Sequence, residues 1–218
     1  MVFQRTVIGL HGSQIMKTAI IIPTVGVDLA RLKSTFNSLI ERTNEEYTLI
    51  VVKNDWKGFA HSVNHGIRMA LGDSSITDIL LLNDDIVLKT GWLKTVLESP
   101  QDICGSSDSY RECGDGLGYV AFWCVRIKRK VFETIGLLDE NYKVGECEDI
   151  DFCLRAIMNG FTIGATNIEL AAHFGHVTLG EYKKQLDTGQ QVDFKHFQEE
   201  NRAHFRRKWQ KTKWEKLL

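Results

Sequence analysis

Three clusters in the 218-residue sequence carry groups that could do chemistry: Asn83-Asp84-Asp85, Glu148-Asp149-x-Asp151, and the pair His173 and His176. Adjacent carboxylates set in apolar sequence are costly unless a cation meets them. Carboxylate plus imidazole with open positions suits Mn²⁺ or Mg²⁺ shared with a diphosphate. Such a cation would stabilise negative charge building on a leaving phosphate. The second cluster opens an expected helix, whose N-terminus favours ionised carboxylates. An ionised acid near pH 7 can accept a proton from an attacking hydroxyl. The plainer reading makes Asp84 and Asp85 a solvated turn after a core strand. It makes Glu148 or Asp149 a helix cap, and either histidine structural.

The clusters sit at strand ends or a helix start, so a sheet could bring them together. Ile79–Leu82 is an unbroken apolar run, which suits a strand buried on both faces, and Ile86–Leu88 is apolar again. Thr18–Ile22 reads as a first buried strand ended by Pro23, and Tyr47–Val52 as a second. Helical spacing appears at Leu29, Leu32, Phe36, Leu39 and Ile40, and again over Phe59–Ala70. Gly66 inside the latter implies close packing or ligand approach, since glycine weakens a helix by about 1 kcal/mol. Strand and helix thus alternate three times, the pattern of a parallel sheet with crossover helices. In such a sheet, ligands bind at the carboxyl ends of the strands.

Further along, Gly91–Leu97 reads as a short helix and Gln101–Gly118 as loop with one strand near Ile103. Tyr119–Ile127 reads as a strand, Lys130–Ile135 as a short helix closed by Gly136, and Leu137–Val144 as loop. Asp149–Asn159 is a helix with an Asp151–Arg155 i,i+4 pair and Gly160 as its stop. Thr162–Gly164 and Glu169–Ala172 read as short strands, the second followed by His173–Thr178. Phe194, Phe197, His204, Phe205 and Trp209 fit a helix with an aromatic face on the body. The tail from Arg202 is basic, with Trp209 and Trp214 interleaved, and could touch an anionic membrane surface; a solvated helix whose aromatics cover the core is the favoured reading. Met16 precedes the first strand and is a candidate native start, with residues 1–15 an extension.

Composition is that of a globular chain, and a formal net charge of −1 gives no sign of a nucleic-acid binder. Cys104, Cys113, Cys124, Cys147 and Cys153 are odd in number and include no CxxC pair, which fits a reducing, cytoplasmic setting. No apolar segment is long enough to span a bilayer. Neither GxGxxG, a P-loop nor HExxH occurs.

In their order and spacing, several segments resemble the GT-A fold glycosyltransferases, most closely the inverting family 2 enzymes that use nucleotide-sugars. The segments are IIPTVGVD, VVKND with GFAHSVNHGIRMALG, LLNDDIVLKTGWL, ETIGLLDENYKVGECEDIDFCLRAIMNGFTIG, HFGHVT and FRRKW. Together they run from Lys17 to about Trp209. The resemblance implies a single α/β domain over 16–218, with a mixed, mainly parallel Rossmann-like sheet flanked by helices. A nucleotide-binding half would cover about 16–100 and an acceptor-binding half about 101–180, before a helical tail. It also implies roles. Pro23, Thr24, Val25 and Asp28 would line the base-binding loop, with Asn54 and Asp55 after the second strand and Gly58 and Asn64 beside the nucleotide. Asn83, Asp84 and Asp85 occupy the DxD positions, with Asp85 as metal ligand. Asp149 matches the general base and Glu148 its acceptor-orienting neighbour. His173 matches a further metal position, with His176 as runner-up. Trp123 is a candidate to stack on a sugar or to sit in the core.

The implied reaction transfers a sugar from a nucleoside-diphosphate donor to an acceptor hydroxyl, with inversion and with Mn²⁺ or Mg²⁺. The loop Asn54–Gly58 lacks the Ser/Asp-rich stretch common in the family, which leaves the base unassigned. Two rivals stand beside this reading. A sugar-phosphate nucleotidyltransferase would carry a Gly-rich, Arg-containing loop after the first strand, and PTVGVD supplies none. A non-catalytic nucleotide-sugar or glycan-binding module would bind a donor without releasing diphosphate.

Overall fold

The computed structural model describes residues 2–5, 17–26, 29–54, 57–114, 117–168, 170–173, 194–215 and 217. Asp28, Asp55, His176 and Met16, assigned roles above, lie outside these residues. So do 6–15 of the expected extension and 181–193 of the expected tail.

The first three sequence-expected strands form the centre of one sheet. They are β2 (Lys17–Thr24), β3 (Tyr47–Lys53) and β4 (Ile76–Leu82), linked by α1 (Leu29–Arg42) and α2 (Phe59–Leu71). β2 pairs in parallel with both β3 and β4. The chain therefore leaves β2 to one side for β3 and returns to its other side for β4, which makes the β2/β4 boundary a topological switch point. β9 (Cys124–Lys128) runs antiparallel to β4, and β6 (Ile103–Ser106) antiparallel to β9. β10 (Ile163–Thr166) closes that side in parallel with β6. β1 (Val2–Arg5) pairs antiparallel with the far edge of β3, so residues ahead of Met16 take part in the sheet. The order is β1-β3-β2-β4-β9-β6-β10. Five strands share one direction, so the sheet is mixed and mainly parallel.

The apolar runs are unbroken because both faces of the sheet are covered. Ala19, Ile21, Ile79 and Leu81 face α2, α4 (Arg129–Ile135) and α5 (Glu148–Met158). Ile20, Ile22, Leu80 and Leu82 face α1 and α3 (Trp92–Leu97). A third cluster joins Tyr142, Ile150 and Leu154 to Phe205 and Trp209 of α6 (Phe194–Trp209), and to Trp214. The tail's two tryptophans are thus buried against the body rather than presented to a membrane. Among the described residues no helix is long and apolar enough to cross one. All five cysteines are free thiols, in keeping with their irregular spacing.

Three local expectations change. Pro23 does not end β2, which continues to Thr24: the ladder to β4 stops at Ile21, so Pro23 lies where the strand has a single neighbour and a missing N–H is tolerated. The run Tyr119–Ile127 is not one strand. β8 (Leu117–Val120) pairs with β7 (Tyr110–Gly114) in a hairpin, a turn follows, and β9 starts at Cys124. The turn residues Phe122 and Trp123 are apolar enough to hide the break from a periodicity argument. The stretch 101–118 also holds more order than one strand, namely β6, a 3-10 turn at Ser107–Ser109, and β7.

Gly66 answers to packing. A Cβ there would meet Ile21 Cγ2 at 2.6 Å and Val52 Cγ2 at 3.2 Å. Those methyls sit on buried strands and cannot swing away, so α2 lies against the sheet only because the side chain is absent. Gly66→Ala is expected to destabilise the protein by about 1–2 kcal/mol despite its better helix propensity. The denaturant midpoint reads this directly; an unchanged or raised midpoint would contradict it.

Candidate functional site

A cleft of about 520 Å³ opens at the carboxyl ends of β2 and β4. Its walls bring together most of the residues singled out from sequence: Pro23, Thr24, Val25, Asn54, Asn83, Asp84, Asp85, Glu148, Asp149, His173 and Trp123. Two do not line it. Asn64 is buried beneath, where its Nδ2 donates to Leu138 O and to Glu140 Oε1, both at 2.9 Å, and its Oδ1 accepts from Leu138 N at 3.0 Å. That amide is spent on fixing the 138–140 turn. Gly58 faces the backbone of Val144, where an added Cβ would stand 3.1 Å from its N, at φ +101°. Its glycine serves the close approach of two chain segments.

The turn after β4 is set by α1. Thr35, fully buried, donates through Oγ1 to Asp84 O (2.9 Å) and accepts from Ile86 N (3.2 Å). Ser38 Oγ accepts from Leu88 N at 3.1 Å. One face of α1 thereby fixes the path from Asn83 into β5 (Ile86–Leu88). From the other side, Asn83 N donates to Trp123 O at 2.9 Å. β5 pairs antiparallel with β11 (Leu170–His173), and the register sets His173 opposite Ile86, beside Asp85. His173 Nε2 lies 3.7 Å from Asp85 Oδ1, and its ring stacks on Trp123 at 4.4 Å between centroids. Trp123 thus orients the imidazole, a role between the two foreseen for it.

Asp85 and His173 form a carboxylate–imidazole pair of the kind Mn²⁺ takes. Their 3.7 Å separation is shorter than two metal–ligand bonds of about 2.1 Å laid end to end. Both atoms can therefore reach one ion. Diphosphate oxygens and water can supply further ligands to such an ion. The residues present fit such a cation.

Glu148 and Asp149, at the start of α5, line the same cleft. Burial pushes the carboxyl of Glu148 well above the usual range, and the charge of Asp149 pushes it further. Burial also raises Asp149, opposed by hydrogen bonds from backbone N–H groups, among them that of Ile150 at 2.8 Å. Glu148 Oε2 and Asn54 Oδ1 are buried and have no hydrogen-bond partner among the described residues. Both residues line the cleft, and polar atoms so placed call for a ligand group. The third acid of the cluster, Asp151, points elsewhere. It is fully buried and bonds Arg155 Nε at 3.0 Å, as the i,i+4 spacing implied, and also Trp209 Nε1 at 3.0 Å.

Sequence reasoning missed Asp108, Arg111 and Glu146, which also line the cleft. Asp108 and Arg111 lie in the stretch read as loop, and no period marked them. Glu146 precedes the acid pair in GECED, and its charge was the one available signal.

No family model matches the chain, and no curated protein does. Solved structures do. The catalytic domain of Drosophila beta1,4-galactosyltransferase 7, in complex with xylobiose, is 15% identical, with a TM-score of 0.56 over 73% of this chain and 71% of that one. A mutant of that Drosophila enzyme, in complex with manganese, UDP-Gal and xylobiose, is 14% identical, with a TM-score of 0.57 over 84% of this chain and 79% of that one. GalNAc-T7 with UDP, GalNAc and Mn²⁺ is 12% identical, with a TM-score of 0.56 over 70% of this chain and 42% of that one. At these identities the similarity is one of architecture, and in that sense it is decisive: the chain has the GT-A fold seen in these glycosyltransferases.

Proposed function

We propose that the protein is a glycosyltransferase that moves a sugar from a nucleoside-diphosphate donor to an acceptor hydroxyl, with inversion. One observation carries the reading. The Asp85–His173 pair and the Glu148–Asp149 pair face a single cleft at the switch point of the sheet. The first is suited to a diphosphate with its cation, the second to an acceptor hydroxyl. Structures of the same fold hold manganese, UDP-Gal and xylobiose in one case and UDP, GalNAc and Mn²⁺ in another.

Pro23, Thr24, Val25 and Asn54 would contact the nucleotide, with Asn83 and Asp84 beside its ribose and phosphates. Asp85 and His173 would hold Mn²⁺ or Mg²⁺, which would supply positive charge against the departing diphosphate. Asp149 takes the proton from the acceptor hydroxyl, whose oxygen attacks the anomeric carbon as the bond to diphosphate breaks. Inversion follows from the resemblance to the inverting enzymes and from Asp149 being the single candidate base. Glu148, held largely protonated, donates a hydrogen bond to the acceptor. The acceptor is a glycan or other hydroxyl compound.

Calorimetric binding of UDP with Mn²⁺, and with chelator, tests the donor side. Asp85→Ala is expected to weaken UDP binding at least about tenfold in Mn²⁺, a loss of about 1.4 kcal/mol or more. It should bring binding to the level of the wild type in chelator. Equal affinity of the variant and the wild type in Mn²⁺ would remove Asp85 from the metal site.

A further inference from the structure

The segment 143–147 leads straight into Glu148 and Asp149, and its backbone follows an uncommon path. Val144, Glu146 and Cys147 have φ of 63°, 87° and 75°. Non-glycine residues avoid this left-handed region, a β-branched valine most of all, and stay there only when the surroundings hold them.

Two elements do the holding. At the start of α2, Phe59 N donates to Val144 O at 2.9 Å, beside the close approach of Gly58. From the opposite side comes α6. Asn201, 1% exposed, accepts from Lys143 N through Oδ1 at 2.8 Å. The two hydrogens of its Nδ2 are shared among Lys143 O (2.9 Å), Gly145 O (3.0 Å) and Glu146 O (3.3 Å). Gln198, on the same helix, donates to the Glu146 carboxylate. The rest of α6 is anchored separately, through Phe205, Trp209 and the bond from Trp209 to Asp151. The polar hold on Lys143, Gly145 and Glu146 therefore falls to Asn201, while Phe205 and Trp209 dock the helix and meet the loop only at its end, in the cluster that includes Cys147.

We infer that Asn201 is a positioning residue of the site. Its one amide meets four backbone groups of the loop around the left-handed residues, and so fixes where Glu148 and Asp149 enter the cleft. The C-terminal helix, which touches neither acid through Asn201, is by this route part of the acceptor side. The consequence for turnover rests on the glycosyltransferase reading; the mechanical claim does not. Without the amide, Gly145 O and Glu146 O lose this donor, Lys143 O keeps only the bond from Gly145 N (2.7 Å), and the loop relaxes toward negative φ. A shift of the base by about 1 Å is enough to cost about 100-fold in rate.

The test uses the full chain with Asn201→Ala, Asn201→Asp and Trp209→Phe. Asn201→Asp keeps the acceptor for Lys143 N but turns a carboxylate toward carbonyl oxygens. Trp209→Phe loosens the helix anchor and leaves Asn201 in place. Amide hydrogen exchange is followed over 143–149 and over the rest of the chain. Both Asn201 variants are expected to speed exchange in 143–149 about tenfold or more, and Trp209→Phe, which meets that segment only at Cys147, to speed it much less. With a UDP-sugar that supports turnover, Asn201→Ala is expected to lower kcat about 10- to 100-fold and to leave the donor KM within about twofold, because Asn54 and Asp85 are untouched.

Unchanged exchange over 143–149 in both Asn201 variants overturns the inference, whether or not the chain transfers sugar. So does a rise spread evenly over the whole chain in all three variants, which would mean general loosening only. A loosened loop in a protein that releases no diphosphate from any donor leaves the positioning role standing and instead sinks the glycosyltransferase reading.

Discussion

Asp149→Asn is expected to lower kcat by about 10²–10⁴-fold and to leave UDP binding unchanged. Asparagine keeps the shape and can still accept the bond from Ile150 N, so α5 should start as before. Only the basicity is lost. Glu148→Gln should cost far less, under about tenfold, because glutamine resembles the protonated acid that burial favours there. The same environment sets the pH dependence. Burial raises Asp149 to about 6, and the charge of Glu146 also pushes upward. A base must be deprotonated to act, so activity rises with pH through that value rather than through the ordinary carboxylate range. Removing the Asp149 charge also removes one cause of the raised Glu148, whose titration should move down in the variant. A profile with its acid limb near pH 4, or a Glu148→Gln loss as large as that of Asp149→Asn, would reverse the two roles.

Asp151→Ala is expected to destabilise the fold by about 3–5 kcal/mol, the largest stability loss foreseen here. Asp151 is fully buried and gathers Arg155 Nε (3.0 Å), Lys208 Nζ (2.9 Å), Trp209 Nε1 (3.0 Å) and Tyr142 Oη (3.3 Å). Alanine leaves the indole N–H and the phenol without that acceptor. It also leaves two cations with less compensation: Arg155 retains Ile135 O and Leu137 O, and Lys208 retains Asp139. For a chain of this length the expected fall in Tm is on the order of 10 °C. Asp151→Asn, which keeps the shape, should lose less. A drop in unfolding free energy below about 1 kcal/mol for the alanine variant would show that α6 docks by its aromatics alone.

These two acids, two residues apart, show how far the sequence could be read. Glu148-Asp149-x-Asp151 stands out as one cluster, yet the helix turns Asp149 to the cleft and Asp151 to α6. Which acid does chemistry depends on what packs against each face, and α6 arrives from more than forty residues away. The central strands were legible because Ile79–Leu82 and Thr18–Ile22 are apolar on both faces, and the helices because their stripes are regular. The metal-type pair was legible only as two separate motifs. What brings His173 to Asp85 is the register of β11 on β5, a long-range pairing that no local pattern specifies. The hairpin bearing Arg111 was missed for a related reason. Its strands are short, Gly114 and Gly118 weaken any alternation, and its pairing decides its existence. Thr35 and Asn201 are ordinary polar residues on helix faces, and only the backbone groups they meet give them a role.

Release of nucleoside diphosphate from a panel of nucleotide-sugars tests the glycosyl-transfer reading most directly. The panel is run with Mn²⁺ and with chelator, with and without hydroxyl acceptors, on the wild type and Asp149→Asn. The expected result is release from one donor that needs the metal, rises with an acceptor and is lost in the variant. Nucleotide binding with no release from any donor, under any of these conditions, would contradict it and make the cleft a binding site only.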